Sequence, residues 1–568
     1  MAALFSRARF GVSRVKRHPL RLLAGIATLL LVAGGAVAGF VYLGPGQSSP
    51  KQTSPAGATR AESTTFIEGD VGAPSTLNPL LASSSSEQDL VPLLFSGLVR
   101  VDGSGSPQPE LAVSWPVSSD GLSYTVKLRD GARWQDGQPI TAADVLFTIR
   151  LIQSPDFNAN PALSDFWRGI NVTTEGRDSL TFHLIRPFAP FPTYLTFPVL
   201  PKHILGDVVA GDLATDPFSS APLGSGPFRF VSWNREDGVI ELTRNDRYFG
   251  QQARLSGLTI RYYQSTGALL SALKAGAIDG TGSLSTSDLI RPHALPSGYK
   301  IYSSPLLGYT ALFFNTQAAP LNQVDVRRAI GLAIDKAAVV RNALSGQGSA
   351  GTGPVPVSSW AYTSPSASAY DQAGAVTLLE KSGWRQVNGK LVKDGSQLSL
   401  PIIVNSDDPL RVAAAEEVAR QLGAIGISVS LSAMTSADLS RVLASGQFTA
   451  AIFGWRSTTG DPDSYDLWSS AGLAGGQNFT GLHDSGIDQV LGAARTTAGE
   501  AQRKRLYLEF QQSFADDSPA SILYHPRYLF VVSDRVAGVQ SLPVVNAADR
   551  FDQITSWHFD ASQATPDH

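Results

Sequence analysis

Residues 120–145 read DGLSYTVKLRDGARWQDGQPITAADV, and this stretch changes period within itself. Leu122, Tyr124, Val126 and Leu128 alternate with Ser123, Thr125 and Lys127, the period-2 pattern of a half-buried strand. Asp130-Gly131 and Asp136-Gly137 are turn dipeptides. Thr141 then stands as the cap of a helix, with Asp144 at its third position and Val145, Leu146 and Ile149 behind it. A strand, two glycine turns and a capped helix make one compact α/β unit. Its conspicuous side chains read as scaffold: Trp134 as packing, Asp136 as a turn residue and Asp144 as part of the cap.

The same alternation of signals continues outward. Residues 325–344 predict a second helix, with Val326, Ile330, Ala333, Ala337 and Val340 on one face and Gly346 ending it. Residues 410–422 predict a third, followed by a strand through Ile427, Val429 and Leu431. The chain is therefore mixed α/β and lacks a solenoid period. Its 568 residues exceed what one core holds, roughly 250–300, so two or three lobes are expected. A hydrophobic fraction of 43% against 16% charged suits a folded chain. The formal net charge of -3, without a long basic run beyond the N-terminal segment, argues against a nucleic-acid partner. The absence of cysteine excludes disulfides, thiolate metal sites, thiol nucleophiles and a lipid-modified cysteine.

Six cations (Arg7, Arg9, Arg14, Lys16, Arg17 and Arg21) precede an uncharged apolar run at 22–43. That run has the ~20 residues needed to span a bilayer. The cations hold the N-terminus in the cytoplasm, so the rest lies outside. Two readings stand: a membrane anchor, or a signal segment cleaved after Ala36-Val37-Ala38. Residues 44–63 are rich in Gly, Pro, Ser, Thr and Ala and read as a flexible linker.

Several further segments occur in a fixed order: Thr76-Leu77-Asn78-Pro79-Leu80, Phe95-Ser96-Gly97-Leu98-Val99, and Pro109 to Trp115 (PELAVSW). After the 120–145 block come Pro201-Lys202-His203-Ile204, Gly224-Ser225-Gly226-Pro227-Phe228 and Arg244-Asn245-Asp246. Phe314-Asn315-Thr316, Val326-Arg327-Arg328-Ala329-Ile330 and Ala333-Ile334-Asp335 complete the set. In this order they closely resemble the family 5 extracellular solute-binding proteins, the peptide/nickel type that serves ABC importers. The resemblance runs from about residue 64 to 560.

It implies a two-lobed periplasmic-binding-protein-like α/β fold with a hinge and an inserted subdomain. Lobe I would comprise 64–99, 222–310 and 530–560, the inserted subdomain 100–221, and lobe II 311–529, with 1–21 as a basic cytoplasmic segment. It also implies a receptor, not an enzyme, that closes around a small solute and hands it to ABC permease subunits in the membrane. A monomer without cofactor or bound metal is expected, at the outer face of the cytoplasmic membrane, or periplasmic or extracellular if cleaved.

The candidate binding segment is FGWRSTTGDPDSY, residues 453–465. Residues 449–453 read as a short strand, Trp455 falls at its end, and Asp461 and Asp463 follow in a polar loop before Tyr465. An aromatic beside carboxylates at a strand end furnishes a cleft. A core tryptophan followed by an exposed Asp-Pro-Asp turn is the plainer alternative. In peptide-binding members of the family, an aspartate three residues after the tryptophan pairs with the peptide's free amine. Here that position is Thr458, and a neutral hydroxyl supplies no charge-assisted bond. A peptide held through its backbone, a sugar, an opine-like compound and other polar solutes remain open. Tyr309, Asn78, Phe479 and Tyr524 are further candidates for the cleft.

Other functions lack their motifs. A hydrolase would show a G-x-S-x-G elbow, and Gly224-Ser225-Gly226 is followed by proline. The eight histidines include no H-E-x-x-H pattern. A P-loop is absent, and a single apolar run does not make a permease. A membrane-tethered solute sensor with the same fold is the alternative to an importer receptor.

Overall fold

The structure is a computed structural model and describes residues 64–560, apart from 290–294, 365–368 and 474. The basic segment, the apolar run at 22–43 and the linker at 44–63 lie outside the described residues. Among the described residues, no helix is long and apolar enough to cross a membrane.

The 120–145 block folds as its periods dictate. Ser123–Leu128 is a strand with Tyr124, Val126 and Leu128 buried, and it pairs antiparallel with Ser179–His183. Gly131 and Gly137 take φ of 74° and 97°, the left-handed region that favours glycine. The helix Ala142–Gln153 opens on a reciprocal cap, in which the Thr141 amide and hydroxyl both donate to Asp144 Oδ2 at 2.8 Å. The other Asp144 oxygen accepts from the Lys202 amide at 3.0 Å. Trp134 is fully buried and Asp136 meets His203 at 2.8 Å, so all three residues serve the scaffold.

The helix expected over 325–344 is two helices, Val324–Leu332 and Lys336–Ala343. Ala333 closes the first, and Asp335 caps the second, its side chain accepting from the Ala338 amide at 2.9 Å. The Leu332 carbonyl is taken by the Asp371 amide at 2.9 Å. Local side-chain and distant backbone partners thus replace the bonds a continuous helix would make. The break shifts the register: Ala337 is exposed, and Ala338 and Val339 are buried in its place. The third helix runs Pro409–Ala424. The strand after it, Ser428–Met434, is the end strand of its sheet, which leaves Leu431 exposed.

One long strand joins the two halves of the main sheet. Ala520–Ser533 pairs through residues 520–524 with Gly308–Phe314, and through residues 527–533 with Tyr299–Pro305. On the first side lie Ala450–Arg456 and Ser399–Asn405; on the second lie Thr65–Val71, Gly257–Tyr263, Val239–Arg244 and Phe228–Asn234. The changeover falls at Pro526, which has no amide proton to donate. Its carbonyl accepts from the Leu306 amide at 3.1 Å, between the two partner strands. A bulge at Thr310/Ala311 sets Thr310 opposite Tyr524 and Ala311 opposite Ile522, bending the ribbon next to this point. The chain therefore crosses between two α/β lobes at 305–308 and again at 524–527. Phe66, Trp134 and Trp557 belong to one apolar core, and Leu312, Ile402 and Tyr524 to another.

Candidate functional site

The strand Ala450–Arg456 lies beside Gly308–Phe314, in a register that sets Trp455 opposite Tyr309 and Gly454 opposite Thr310. Trp455 is half-buried and stacks on Tyr309, with centroids 5.3 Å apart and planes inclined by 27°. Tyr309 is itself buried, and its hydroxyl accepts from Trp468 Nε1 at 3.3 Å. Burial pushes the Tyr309 phenol far up. A side-chain carbon at Gly454 would come within 2.4 Å of Arg411 Nη2, so glycine there admits the guanidinium onto the strand.

Beyond the strand the chain makes a tight turn. The Gly460 amide donates to Ser457 Oγ at 2.9 Å, and Ser457 Oγ donates to the Asp461 carbonyl at 3.1 Å. The turn lies against the loop that carries Val101 and Gly105. A side-chain carbon on Gly105 would come within 2.1 Å of the Gly460 carbonyl oxygen. Lobe II thus touches the other half of the molecule at Gly460, and again where the Ala189 amide donates to the Arg495 carbonyl at 2.6 Å.

Both aspartates of the turn are committed. Asp461 accepts two bonds from Arg503, at 2.8 and 2.7 Å, with side chains only 4% and 7% exposed. Arg503 also donates to the Ala494 carbonyl at 3.0 Å and lies over the Trp360 ring. Asp463 pairs with Arg495 at 2.7 Å, and the same arginine reaches Asp466 at 2.9 Å. Burial pushes the Asp463 carboxyl up, with Arg495 pulling against it.

Two cavities flank residues 456–459. The smaller, about 500 Å³, is lined by Trp455, Phe453, Phe479, Arg411 and Tyr194, with Thr458, Asp461 and Asp463 at its edge. The larger, about 920 Å³, is walled by Thr458 and Arg456 on one side and by residues of the first lobe on the other, among them Tyr302, Tyr528, Glu110 and Asp552. Both fall in the size range of small-molecule sites. Burial pushes Glu110 up to about 7, while its carboxylate accepts from the Gly97 amide at 3.2 Å.

The residues singled out in the sequence divide accordingly. Trp455, Thr458, Asp461, Asp463 and Phe479 come together at the smaller cavity, and Thr458 faces both. Tyr309 lies behind Trp455. Tyr465 carries Arg495 over its ring, 4.5 Å from the centroid, and lines neither cavity. Asn78 is fully buried in a turn, its side chain accepting from the Leu80 amide and donating to Ser219. Tyr524 is packed in the second core, where burial pushes its phenol up to about 12. Asn78 and Tyr524 line neither of these two cavities.

Sequence reading missed Arg411, Arg495 and Arg503. Arg503 had a signal: on the helix Glu500–Asp517 it falls in the buried stripe with Tyr507, Phe510 and Phe514. A charge on an apolar stripe requires a buried partner.

Comparison with known proteins agrees with this architecture. Residues 106–476 match the family model described as bacterial extracellular solute-binding proteins, family 5 Middle. The chain is 28% identical over 488 residues to the oligopeptide-binding protein AppA of Bacillus subtilis, covering 84% of this chain and 89% of that protein. It is similar to the crystal structure of NikZ from Campylobacter jejuni in complex with Ni(L-His), with 27% identity and a TM-score of 0.66, covering 87% of this chain and 99% of NikZ. It is likewise similar to the structure of AppA from Bacillus subtilis in complex with a nonapeptide, with 26% identity and a TM-score of 0.62, covering 88% and 99%.

Proposed function

This chain belongs to the bacterial extracellular solute-binding proteins of family 5, and from that membership we propose that it captures a peptide in the cavities flanking residues 456–459. It is an extracytoplasmic receptor of an ABC importer rather than an enzyme, and it binds by hinge closure. The protein works as a monomer at the outer face of the cytoplasmic membrane, with residues 22–43 as its anchor. Its lobes change over at 305–308 and 524–527, a few residues before the boundaries 310/311 and 529/530 expected from the sequence, and 100–221 is a subdomain inserted in the first lobe.

The observation that carries the ligand assignment is the shared wall. Thr458 and Arg456 project from one lobe into a cavity of about 920 Å³ whose other walls come from the first lobe. A solute there touches both lobes, so its binding energy favours the arrangement that brings them together. The relatives add chemistry: one is named as an oligopeptide-binding protein, and its structure holds a nonapeptide. A peptide that binds only the native state stabilises it by mass action, about 2.7 kcal/mol at a concentration a hundredfold above Kd.

The test is a thermal-shift screen of the purified protein over peptides, oligosaccharides, opines and metal chelates, followed by small-angle scattering with each hit. Peptides should raise the melting temperature and reduce the radius of gyration. A melting temperature raised only by sugars or chelates would reject the peptide assignment.

A further inference from the structure

Three contacts between the lobes lead back to one buried arginine. In the first, a side-chain carbon at Gly460 would come within 2.5 Å of Val101 Cγ1, and one at Gly105 within 2.1 Å of the Gly460 carbonyl oxygen. In the second, the Trp360 amide donates to the Ser104 carbonyl at 2.9 Å. In the third, the Ala189 amide donates to the Arg495 carbonyl at 2.6 Å, and the Arg495 guanidinium lies over the Phe188 ring, 5.9 Å from its centroid. The chain passes between the lobes at 305–308 and 524–527, so contacts outside those points form and break as the hinge moves.

Both sides of these contacts are shaped in advance. Residues 102–106 are the tip of the hairpin Val99–Val101 and Pro107–Pro109, and Asp102 Oδ1 accepts there from the amides of Ser104 and Ser106 at 2.9 and 3.1 Å. The Tyr124 hydroxyl donates to the Phe188 carbonyl at 3.2 Å. On lobe II the common element is Arg503. Its fork holds Asp461, the neighbour of Gly460. Its Nε donates at 3.0 Å to the carbonyl of Ala494, the neighbour of Arg495. Its guanidinium lies over the Trp360 ring, 5.1 Å from the centroid. Arg503 itself lines neither of the two cavities.

We propose that Arg503 is a positioning residue for lobe closure. It holds Trp360, the Gly460 turn and Arg495 as one face, which residues 102–105 and 188–189 of the inserted subdomain grip when the lobes meet. Only a planar group with several fixed donors can hold all three at once. Contacts made in the shut arrangement lower its free energy whatever the solute, so the fraction of shut molecules, and with it the apparent affinity, depends partly on residues that no solute touches. The inference requires hinge closure and does not depend on the peptide reading.

The chain has no cysteine, so Ala189→Cys with Thr496→Cys introduces the only thiols, one on each side of the third contact. The purified full chain carrying this pair is treated with a short bismaleimide, and the yield of the internal crosslink is read by mass spectrometry, with the urea-unfolded chain as background. The folded chain should crosslink well above that background. Arg503→Lys, which keeps the charge but loses the fork, should lower the yield by about tenfold. Gly460→Ala should do the same, although it touches neither thiol, because its added carbon meets Val101 and keeps the whole face from seating. A purely structural arginine would lower the unfolding midpoint and leave the yield of the folded chain unchanged, which would overturn the positioning role. An unchanged yield in Gly460→Ala would show that the contacts do not close as one and would overturn the shared face. A yield no higher than background in the parent pair would overturn the contact itself. Should Arg503→Lys fail to fold, Trp360→Ala, which removes the ring under the guanidinium, takes its place with the same expectation.

Discussion

Asp461 and Arg503 meet through two parallel bonds, 2.8 and 2.7 Å long, in a place almost without solvent. The pair ties the turn after Trp455 to the long helix Glu500–Asp517. Removing one partner leaves the other charged and buried, which costs about 3–5 kcal/mol. Asp461→Asn and Arg503→Met should each lower stability by that amount in urea unfolding. The double variant should lose clearly less than the sum of the two, the signature of direct coupling. Additive losses would show that the two residues act separately.

Trp455→Ala removes the apolar face of the smaller cavity and the stack on Tyr309. Binding of the peptides found by the thermal-shift screen should weaken by about 1–3 kcal/mol in calorimetry, as for truncated aromatic anchors. The fold should persist, because Trp455 is only half-buried. Unchanged affinity would place the ligand away from this strand end.

Thr458→Asp sets a carboxylate between the two cavities. Peptides with a free amino terminus should gain affinity over their N-acetylated forms in calorimetry, because a carboxylate there can pair with an ammonium. Unchanged affinity for both forms would show that the turn does not reach the ligand's amino end.

His525 predicts a pH dependence. Its Nδ1–H donates to the Gly308 carbonyl at 3.0 Å, beside the crossing between lobes, and Nε2 faces the Thr352 amide at 3.4 Å. Burial, with Lys336 nearby, brings its pKa down to about 4. The folded state therefore keeps the ring neutral, while the unfolded chain takes up a proton below about 6.5. This contribution is fully present above pH 6.5 and is lost as pH falls towards 4, amounting to roughly 3 kcal/mol. His525→Asn, whose amide can replace Nδ1–H, should flatten that part of the stability profile. An identical profile in both proteins would assign the acid sensitivity elsewhere.

Fractionation of the native host should find the chain outside the cytoplasm, and amino-terminal sequencing should return an uncleaved N-terminus. A mature chain beginning just after Ala38 would replace the anchor with a cleaved signal.

What the sequence disclosed was local. The 120–145 block shows its strand, turns and cap because each is set by residues within four or five positions, such as Thr141 and Asp144. The break at Asp335 was less legible: the apolar period continues through Ala333, and the competing partner of the Leu332 carbonyl is Asp371, far along the chain. At the site, Trp455, Thr458 and the two aspartates could be read from their spacing. Their commitments could not. Arg503 lies 42 positions beyond Asp461.

The long strand Ala520–Ser533 has a consequence for how the protein is made. It lies between Gly308–Phe314 on one side and Tyr299–Pro305 on the other, and it also pairs with Gly280–Thr281, which adjoins Thr65–Val71. Arg550 closes on Glu68 across 482 positions. Neither sheet half is complete until this strand has been synthesised, so a nascent chain is left with open strand edges almost to the end of translation. A fragment ending before residue 520 should present those edges to other copies and aggregate.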